Sequence, residues 1–287
     1  MTSPRLFFDD LVFPEGIRWR EDGLWVADQH AHKVWRIGSD GKGEVICVLD
    51  DMPSGLGFTP DGSVLVAEMR TQKIHRIAPD GTMTLHADLA VLRPGWINDM
   101  VVDGRGRAYV GHLTGKYALP SDGHDELVAV ELDGSIRVVA DNLAGPNGTA
   151  VTPDNRTMIL AESAQQRLLA FDIEDDGSLK GRRVWAEGIH SDGICLDAEG
   201  GVWVGSPAES RFKRVVKGGA VTDFIEVTDW AIACTLGGLG RDTLYMLVTR
   251  ATAETFADMA DPGRDHLSNA RGRVETCKVN IPGAGWP

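Results

Sequence analysis

A six-residue motif occurs six times along this chain, and one of its positions changes from copy to copy. The variable position is the second one, here called the slot. The copies are PEGIRW at Pro14–Trp19, PSGLGF at Pro53–Phe58, INDMVV at Ile97–Val102, PNGTAV at Pro146–Val151, SDGICL at Ser191–Leu196 and TLGGLG at Thr235–Gly240. Successive slots are separated by about 40–50 residues, which is the repeat length of β-propeller blades. The six copies therefore predict six blades.

The residues that follow each motif predict an antiparallel meander. A polar turn with glycine, such as PDG at 60–62, leads into a strand of alternating or apolar residues, and a further turn leads into a third strand. Short alternating strands separated by glycine-rich turns are typical of such meanders. Four strands of this kind form one propeller blade. We therefore expect an all-β chain, a single six-bladed β-propeller with four-stranded antiparallel blades over residues 1–287.

A propeller must close into a ring, and the two ends of the chain suggest how. The N-terminal strand Arg5–Val12 is expected to pair into the last blade beside Arg273–Val279, which leaves no exposed edge. Two segments, Leu113–Glu126 and Arg250–Arg271, are longer than ordinary hairpins. Long loops in a compact domain are often functional, so each is either a wall or lid over the central channel or a plain surface insertion.

The composition limits the partners of this chain. Its net charge of −13 argues against nucleic acid, whose phosphates it would repel. No apolar run reaches the length of a membrane span, and the start MTSPRLFFDD lacks the regions of a signal peptide, so a cytoplasmic location is expected. The four cysteines show no CxxC spacing and are expected to be buried free thiols. Oligomeric state cannot be read from these features.

Four of the slots hold oxygen donors. They are Glu15, Asn98, Asn147 and Asp192. Because the innermost strand of each blade starts near the propeller axis, these four side chains are expected to meet in one central cavity. Two carboxylates and two amides, without His or Cys, suit a hard divalent cation such as Ca²⁺, Mg²⁺ or Mn²⁺, with water or substrate completing its coordination.

The alternative is that these residues only shape turns. Asn and Asp before glycine are ordinary turn formers. However, Ser54 and either Thr235 or Leu236 occupy the remaining slots, so the fold does not require a carboxylate or an amide there. Four oxygen donors at one repeat position favour a metal site.

Four segments of the chain resemble the senescence marker protein 30 / gluconolactonase (regucalcin-like) family. They are PEGIRW, WINDMVVDGRGRAYVG, GPNGTAVTPD and SDGICLDAEGGVWVG, in the family's order and spacing, and the resemblance covers nearly the whole chain. It implies a six-bladed propeller with one catalytic divalent metal at its centre, held by Glu15, Asn147 and Asp192. It also implies that Asn98 coordinates the metal or holds the substrate, and that Asp192 doubles as the acid/base residue. Calcium is the favoured ion, and zinc, manganese, magnesium and iron also occur across the family.

The commonest activity in the resembled family is lactone hydrolysis, so the sequence predicts a divalent-metal-dependent lactonase. Opening a cyclic ester requires water to attack a carbonyl, which a metal can polarise. A nearby carboxylate then removes the proton from the attacking water, and Asp192 is the residue expected to do so. The chain has no GxSxG signature, which argues against a covalent serine route.

The position two residues before each slot should share its side of the strand. These positions, here called the collar, are Phe13, Met52, Trp96, Gly145 and His190. In gluconolactonase-type members of the resembled family, the position of Trp96 is typically an arginine that binds sugar hydroxyls. The mostly apolar collar predicts a substrate less polar than gluconolactone, such as an aromatic, alkyl or bicyclic lactone or ester. Alternatively, Trp96 packs in the core and other groups bind a sugar.

Four further residues are candidates for contacting the substrate. Trp230 precedes the sixth motif and extends the wall of the site. His190 either protonates a leaving alkoxide or forms hydrogen bonds at the rim. His112 and Tyr117 lie on the third-blade wall, where members of the resembled family contact substrate.

Other polar residues are expected to have structural roles. His30 and His32 flank a turn and are expected to be exposed to solvent. Asp28, Glu68 and Glu162 each end a second strand, where turn or strand-end roles are the default.

Two other functions remain open from the sequence. The same metal site suits a phosphotriesterase or another metal-dependent hydrolase or lyase, since a metal polarises P=O as well as C=O. The other alternative is a non-catalytic propeller that binds a metal or a partner protein. The lactonase is favoured because four protein ligands leave coordination positions open for a small-molecule substrate.

Overall fold

A computed structural model of the chain describes residues 3–114, 123–251 and 270–285. Its strands form six antiparallel sheets of four strands each, so the predicted six-bladed β-propeller is confirmed. The strands are β1 Arg5–Leu11, β2 Pro14–Arg20, β3 Gly23–Asp28, β4 Lys33–Ile37, β5 Gly43–Val48, β6 Pro53–Phe58, β7 Val64–Glu68, β8 Lys73–Ile77, β9 Met83–Asp88, β10 Gly95–Val102, β11 Ala108–Thr114, β12 Asp125–Val130, β13 Ile136–Leu143, β14 Pro146–Val151, β15 Thr157–Glu162, β16 Arg167–Ile173, β17 Leu179–Glu187, β18 Ile194–Leu196, β19 Val202–Ser206, β20 Arg211–Val215, β21 Val221–Glu226, β22 Trp230–Gly237, β23 Thr243–Arg250 and β24 Arg271–Lys278. Short 3-10 helices occupy Leu89–Val91, Ser163–Gln165 and Pro207–Glu209.

Five blades are made of consecutive strands, and the sixth closes the ring. The first blade contains β2–β5, and the following four blades continue in the same way to β21. The sixth blade contains β22, β23, β24 and, outermost, the N-terminal strand β1. In this pair Arg5 lies opposite Thr276 and Leu11 lies opposite Gly272. The predicted closure by the N-terminal strand is therefore confirmed.

Many of the hairpins use an Asp-containing turn that is stabilised locally. The carboxylate of Asp61 accepts a hydrogen bond of 3.1 Å from the backbone N–H of Ser63, and Asp80 does the same for Thr82 at 2.9 Å. Gly62 follows Asp61 with a φ of +84°, a conformation that favours glycine. These turns therefore follow directly from local sequence.

The glycine after the slot allows the inner strands to pack closely around the axis. A Cβ atom on Gly16 would lie 2.2 Å from the carbonyl oxygen of Ser54, and one on Gly148 would lie 2.4 Å from the carbonyl oxygen of Asp192. Neighbouring inner strands thus leave no space for a side chain at these two positions.

The sixth motif lies four residues earlier than predicted. In each of the first four blades the inner strand has a pairing irregularity directly after its first motif residue, as between Pro14 and Ile17 in the first blade. In the sixth blade this irregularity lies between Ala231 and Cys234, which places Ile232 in the slot. The assignment to Thr235–Gly240 was wrong, because Thr235 pairs regularly with Tyr245 in mid-strand. The true copy, AIACTL, has neither a polar slot nor a glycine.

Three other predictions concern segments and side chains away from the axis. The proposed walls or lids lie largely outside the described residues, since residues 115–122 and 252–269 are not among them. Across the parts of the chain that are described, helices are too short or too polar to cross a membrane. None of the four cysteines, all of which lie in the described residues, forms a disulfide; Cys47 is half-buried and the other three are buried.

Candidate active site

The four oxygen-bearing slot residues line one cavity. Glu15 on β2, Asn98 on β10, Asn147 on β14 and Asp192 just before β18 all contribute to a cavity of about 380 Å³. Each of the four is half-buried, whereas the residues on either side of it in the chain are buried. The slot is therefore the point at which each inner strand reaches the cavity.

Hydrogen bonds connect the slot residues around the ring. Ser54, in the slot of the second blade, donates to the amide oxygen of Asn98 at 3.3 Å. The amide nitrogen of Asn98 donates to the carbonyl oxygen of Pro146 at 3.4 Å. The Asn147 side chain forms a hydrogen bond with the carboxylate of Asp192. Since only the amide nitrogen of Asn147 can donate to a carboxylate, its amide oxygen remains available to a cation.

Burial and neighbouring carboxylates disfavour the charged forms of both slot carboxylates. Burial, and next the charge of Asp99, raise the pKa of Asp192 to about 7, while the hydrogen bond from Asn147 acts in the opposite direction. Burial raises the pKa of Glu15 well above its ordinary value, and the charges of Asp192 and Asp99 add to this shift. Like charges in a poorly solvated cavity favour protonation unless a cation offsets them.

The donor set fits a hard divalent cation. Over the residues that the structure describes, no three His, Cys, Asp or Glu side chains are arranged to hold a metal ion. The slot set differs, because it combines only two carboxylates with two amide oxygens. These are the ligand types that Ca²⁺ and Mg²⁺ take in proteins, and no soft ligand lies among them. Metal binding at these residues stays a prediction.

Asp99 is a third carboxylate of this region that the sequence reasoning missed. It occupies the position after the slot, where the other blades have Gly16, Gly55, Gly148, Gly193 and Ala233. It is buried, and its carboxylate accepts a hydrogen bond of 2.8 Å from the backbone N–H of Met100. Burial raises its pKa, and the nearby guanidinium of Arg18 opposes that rise. The departure from glycine in the third motif was the signal that could have identified it.

The collar contributes the apolar part of the cavity. Phe13, Gly145 and His190 line it, as predicted from their spacing to the slots. Trp230 also lines it and lies two residues before Ile232, so it is the collar residue of the sixth blade. Their contact with a substrate stays a prediction.

Several other predicted substrate contacts lie elsewhere. Among the described residues, the lining of this cavity does not include Met52, Trp96 or His112. Tyr117 lies outside the described residues. Substrate binding by these four residues stays a prediction.

His112 lies in a buried polar cluster. Its Nε2 is 2.9 Å from the side-chain oxygen of Gln72, and its Nδ1 is 3.3 Å from the carboxylate of Glu126. Burial lowers the pKa of this histidine. Its neighbour Leu113 is the residue of β11 that lines the cavity.

The carboxylates at the ends of the second strands of the blades accept hydrogen bonds from backbone N–H groups at or just before the collar positions. Asp28 accepts hydrogen bonds from the backbone N–H groups of Val12 at 3.0 Å and Phe13 at 2.8 Å. Glu162 accepts one of 2.9 Å from the N–H of Ala144, the residue before Gly145.

Glu68 forms the equivalent bond of 3.1 Å with the N–H of Asp51, the residue before Met52. The predicted strand-end role of these carboxylates is confirmed.

The prediction that His30 is exposed was wrong. It is buried and stacks on Phe13, with ring centroids 4.9 Å apart, because the turn that carries it folds beneath the collar.

Residues 13–250 match the model of the SMP-30/Gluconolactonase/LRE-like region. The chain belongs to this family. It is similar to the 6-deoxy-6-sulfogluconolactonase of Pseudomonas putida, with 26% identity over 93% of this chain and 91% of the relative. It is also similar to the pentonolactonase XacC of Haloferax volcanii, with 23% identity over 98% of this chain and 97% of the relative.

A solved structure extends the likeness to the fold. The regucalcin of Agrobacterium tumefaciens strain C58, described as a calcium-binding protein, superimposes with a TM-score of 0.75. The match covers 95% of this chain and 93% of that one at 21% identity. At this identity the likeness concerns the fold alone.

Proposed function

We propose that this member of the family is a divalent-metal-dependent lactonase, a hydrolase that opens cyclic esters of small molecules. The observation that carries the proposal is the lining of one cavity by Glu15, Asn98, Asn147 and Asp192. The lactonase relatives support the reaction class, since they match this chain over nearly its full length. The cytoplasmic location expected from the sequence remains part of the proposal.

The slot residues have distinct roles in this proposal. Glu15, Asn147 and Asp192 would hold the cation, and Asn98 would either complete its coordination or hold the substrate. A divalent cation held there would supply polarisation of the lactone carbonyl and an offset for negative charge on its oxygen. Ca²⁺ is the favoured ion, because all four donors are hard oxygens and a structural neighbour is described as calcium-binding.

Asp192 is the proposed general base. Its carboxylate accepts the proton of the attacking water, and the hydrogen bond from Asn147 fixes its orientation. The ring oxygen leaves as an alkoxide that must gain a proton. His190 lines the same cavity and is either the donor of that proton or a rim residue that binds the substrate by hydrogen bonds.

The lining of the cavity supports a substrate with an apolar part. Phe13, Leu113, Trp230 and Ile232 face it from three blades, and no Lys or Arg lies in its described lining. A site for a polyhydroxylated sugar normally presents hydrogen-bonding groups to each hydroxyl. We therefore propose an alkyl, aromatic or bicyclic lactone, although the named relatives act on sugar-derived lactones.

The test is a lactone panel assayed with and without a chelator. Ring opening that is lost on chelation and restored by Ca²⁺ supports the proposal, and Asp192→Asn should abolish it. A higher kcat/KM for a hydrophobic lactone than for an aldonolactone supports the apolar substrate. The opposite order would rule out the proposal of an apolar substrate.

Two other outcomes would favour a different function. Turnover of a phosphotriester without turnover of any lactone would favour the phosphotriesterase reading of the same site. Tight Ca²⁺ binding without turnover of either class would favour a non-catalytic metal-binding propeller.

A further inference from the structure

Arg18 is a buried cation next to the candidate cation site. Its side chain is buried, and together with Glu15 and Asp99 it lines a second, narrow cavity that is too small for a water molecule. One guanidinium nitrogen donates to the carbonyl oxygen of Ile17 at 2.7 Å, and another donates to the carbonyl oxygen of Met100. Arg18 therefore joins the inner strand of the first blade to that of the third.

The charge of Arg18 is offset by Asp99. Nη2 of Arg18 lies 3.6 Å from Oδ1 of Asp99, and both side chains are buried. An arginine stays protonated even when it is buried, so it requires a nearby anion. Asp99 in turn acts electrostatically on Glu15 and on Asp192. The pair is thus electrically coupled to both slot carboxylates.

The formal charges of the three carboxylates and of Arg18 sum to a value that is equal in size and opposite in sign to the charge of a divalent cation. When the carboxyl groups of Glu15, Asp99 and Asp192 are all ionised, each contributes −1 and Arg18 contributes +1, which leaves a formal charge of −2. Among the described residues, no lysine or further arginine lines either cavity. Asp99 is not a slot residue, and the three carboxylates are not arranged to hold one ion by themselves.

We propose that Arg18 and Asp99 determine ion selectivity by setting the formal charge of the site at −2, which matches a divalent ion. The inference rests on the proposed function, since it concerns the same cation. It has a specific consequence for ions that prefer the same oxygen ligands but differ in charge. Changing the site by one unit of charge should change the preference between Ca²⁺ and Tb³⁺.

The test measures the dissociation constants of Ca²⁺ and Tb³⁺ by calorimetry at about pH 8 for the full chain and its variants. Arg18→Met should shift the ratio of the two constants toward Tb³⁺ by about tenfold or more, and Asp99→Asn should shift it toward Ca²⁺ by a similar factor. The double variant restores the charge of −2, so its ratio should lie within about threefold of the original. Arg18→Lys keeps the charge and should leave the ratio unchanged, even if both affinities fall.

A purely structural role would give a different result. If Arg18→Met and Asp99→Asn weaken both ions by the same factor, the charge-matching proposal is overturned while the metal site remains. If the unaltered protein binds neither ion, the metal proposal and this inference fall together. If Arg18→Met does not fold, Asp99→Asn and Arg18→Lys still test the proposal. Only Asp99→Asn should change the ratio of the Ca²⁺ and Tb³⁺ dissociation constants, and the proposal is overturned if it does not.

Discussion

The hydroxyl group of Ser54 in the second blade donates a hydrogen bond of 3.3 Å to the amide oxygen of Asn98 in the third blade. Ser54 occupies a slot that has no ligand of its own, yet it orients the polar side chain in the next slot. The amide nitrogen of Asn98 is held at the same time by the carbonyl oxygen of Pro146. Both ends of this amide are therefore fixed before any ligand enters the cavity.

Replacing Ser54 with alanine should impair the site more than the fold. The lost hydrogen bond is worth about 1 kcal/mol, so kcat/KM for the preferred lactone should fall about three- to tenfold. The melting temperature should change by only a few degrees. Ser54→Thr retains a hydroxyl and is the matched control. Unchanged kinetics in Ser54→Ala would show that the orientation of Asn98 does not depend on this bond.

Asp192→Asn should abolish activity without unfolding the protein. The substitution keeps the shape of the side chain but removes the proposed base and one negative charge of the cation site. We expect kcat to fall by at least about 10³-fold, and the affinity for Ca²⁺ to fall as well. Asp176→Asn, in an exposed turn on another part of the fourth blade, is the control and should retain full activity. Activity within about tenfold of the original in Asp192→Asn would exclude Asp192 as the base.

The stability of the metal-free protein should decrease as the pH rises through the neutral range. The pKa of Asp192 is raised to about 7 in the folded chain, whereas an unfolded aspartate titrates near 3.9. The folded state therefore holds this proton more tightly. Its contribution to the free energy of unfolding is complete below about pH 4 and is lost as the pH rises to about 7.

Thermal melts with Ca²⁺ and with chelator can measure this effect. The melting temperature of the chelated protein should fall by a few degrees between about pH 5 and pH 8. Added Ca²⁺ should raise it more at pH 8 than at pH 5, because protons compete with the cation at the lower pH. Asp192→Asn should reduce the dependence in chelator, and the dependence that remains is the part due to Glu15, whose pKa is also raised by burial. A Ca²⁺-induced increase that is equal at both pH values would argue against a cation bound by these carboxylates.

Trp230→Ala should affect substrate binding according to substrate polarity. The indole lines the cavity at the collar position of the sixth blade. Losing this apolar surface should raise KM for a hydrophobic lactone about tenfold, with a much smaller change for an aldonolactone. Val184→Ala, on the exposed outer strand of the fourth blade, is the control. Equal effects on both substrates would indicate that Trp230 only supports the fold.

Phe7→Ala should weaken the closure of the ring. Phe7 on β1 packs edge-to-face against Tyr245 on β23, with ring centroids 5.3 Å apart. Because β1 completes the sixth blade, we expect a loss of about 2–4 kcal/mol in the free energy of unfolding, measured by denaturant titration. Leu6→Ala removes an exposed side chain from the same strand and should cost much less. Similar losses for both variants would place the stabilisation in the backbone pairing of β1 rather than in the packing of Phe7.

The repeated motif was sufficient to predict the blade count and the four slot residues that line one cavity, and the N-terminal strand was sufficient to predict how the ring closes. These features depend on local rules: Asp-containing turns, alternating strands and, in four of the six blades, a glycine after the slot. The sixth motif was misplaced because its true copy, with Ile232 in the slot, carries none of these polar or glycine signals. His30 was misjudged for a related reason, since a turn residue can be buried when the turn packs against the collar.

The sequence by itself determined the repeat, the strand order and the chemical character of the slots, because those features depend on residues close together in the chain. Only the tertiary structure decided which distant side chains act on one another. Arg18 lies on the inner strand of the first blade and Asp99 on that of the third, so the whole second blade separates them along the chain, and they meet only because the ring closes around a narrow axis. Their pairing depends on burial and on the distance across the channel. Neither of these follows from the spacing of residues along the sequence.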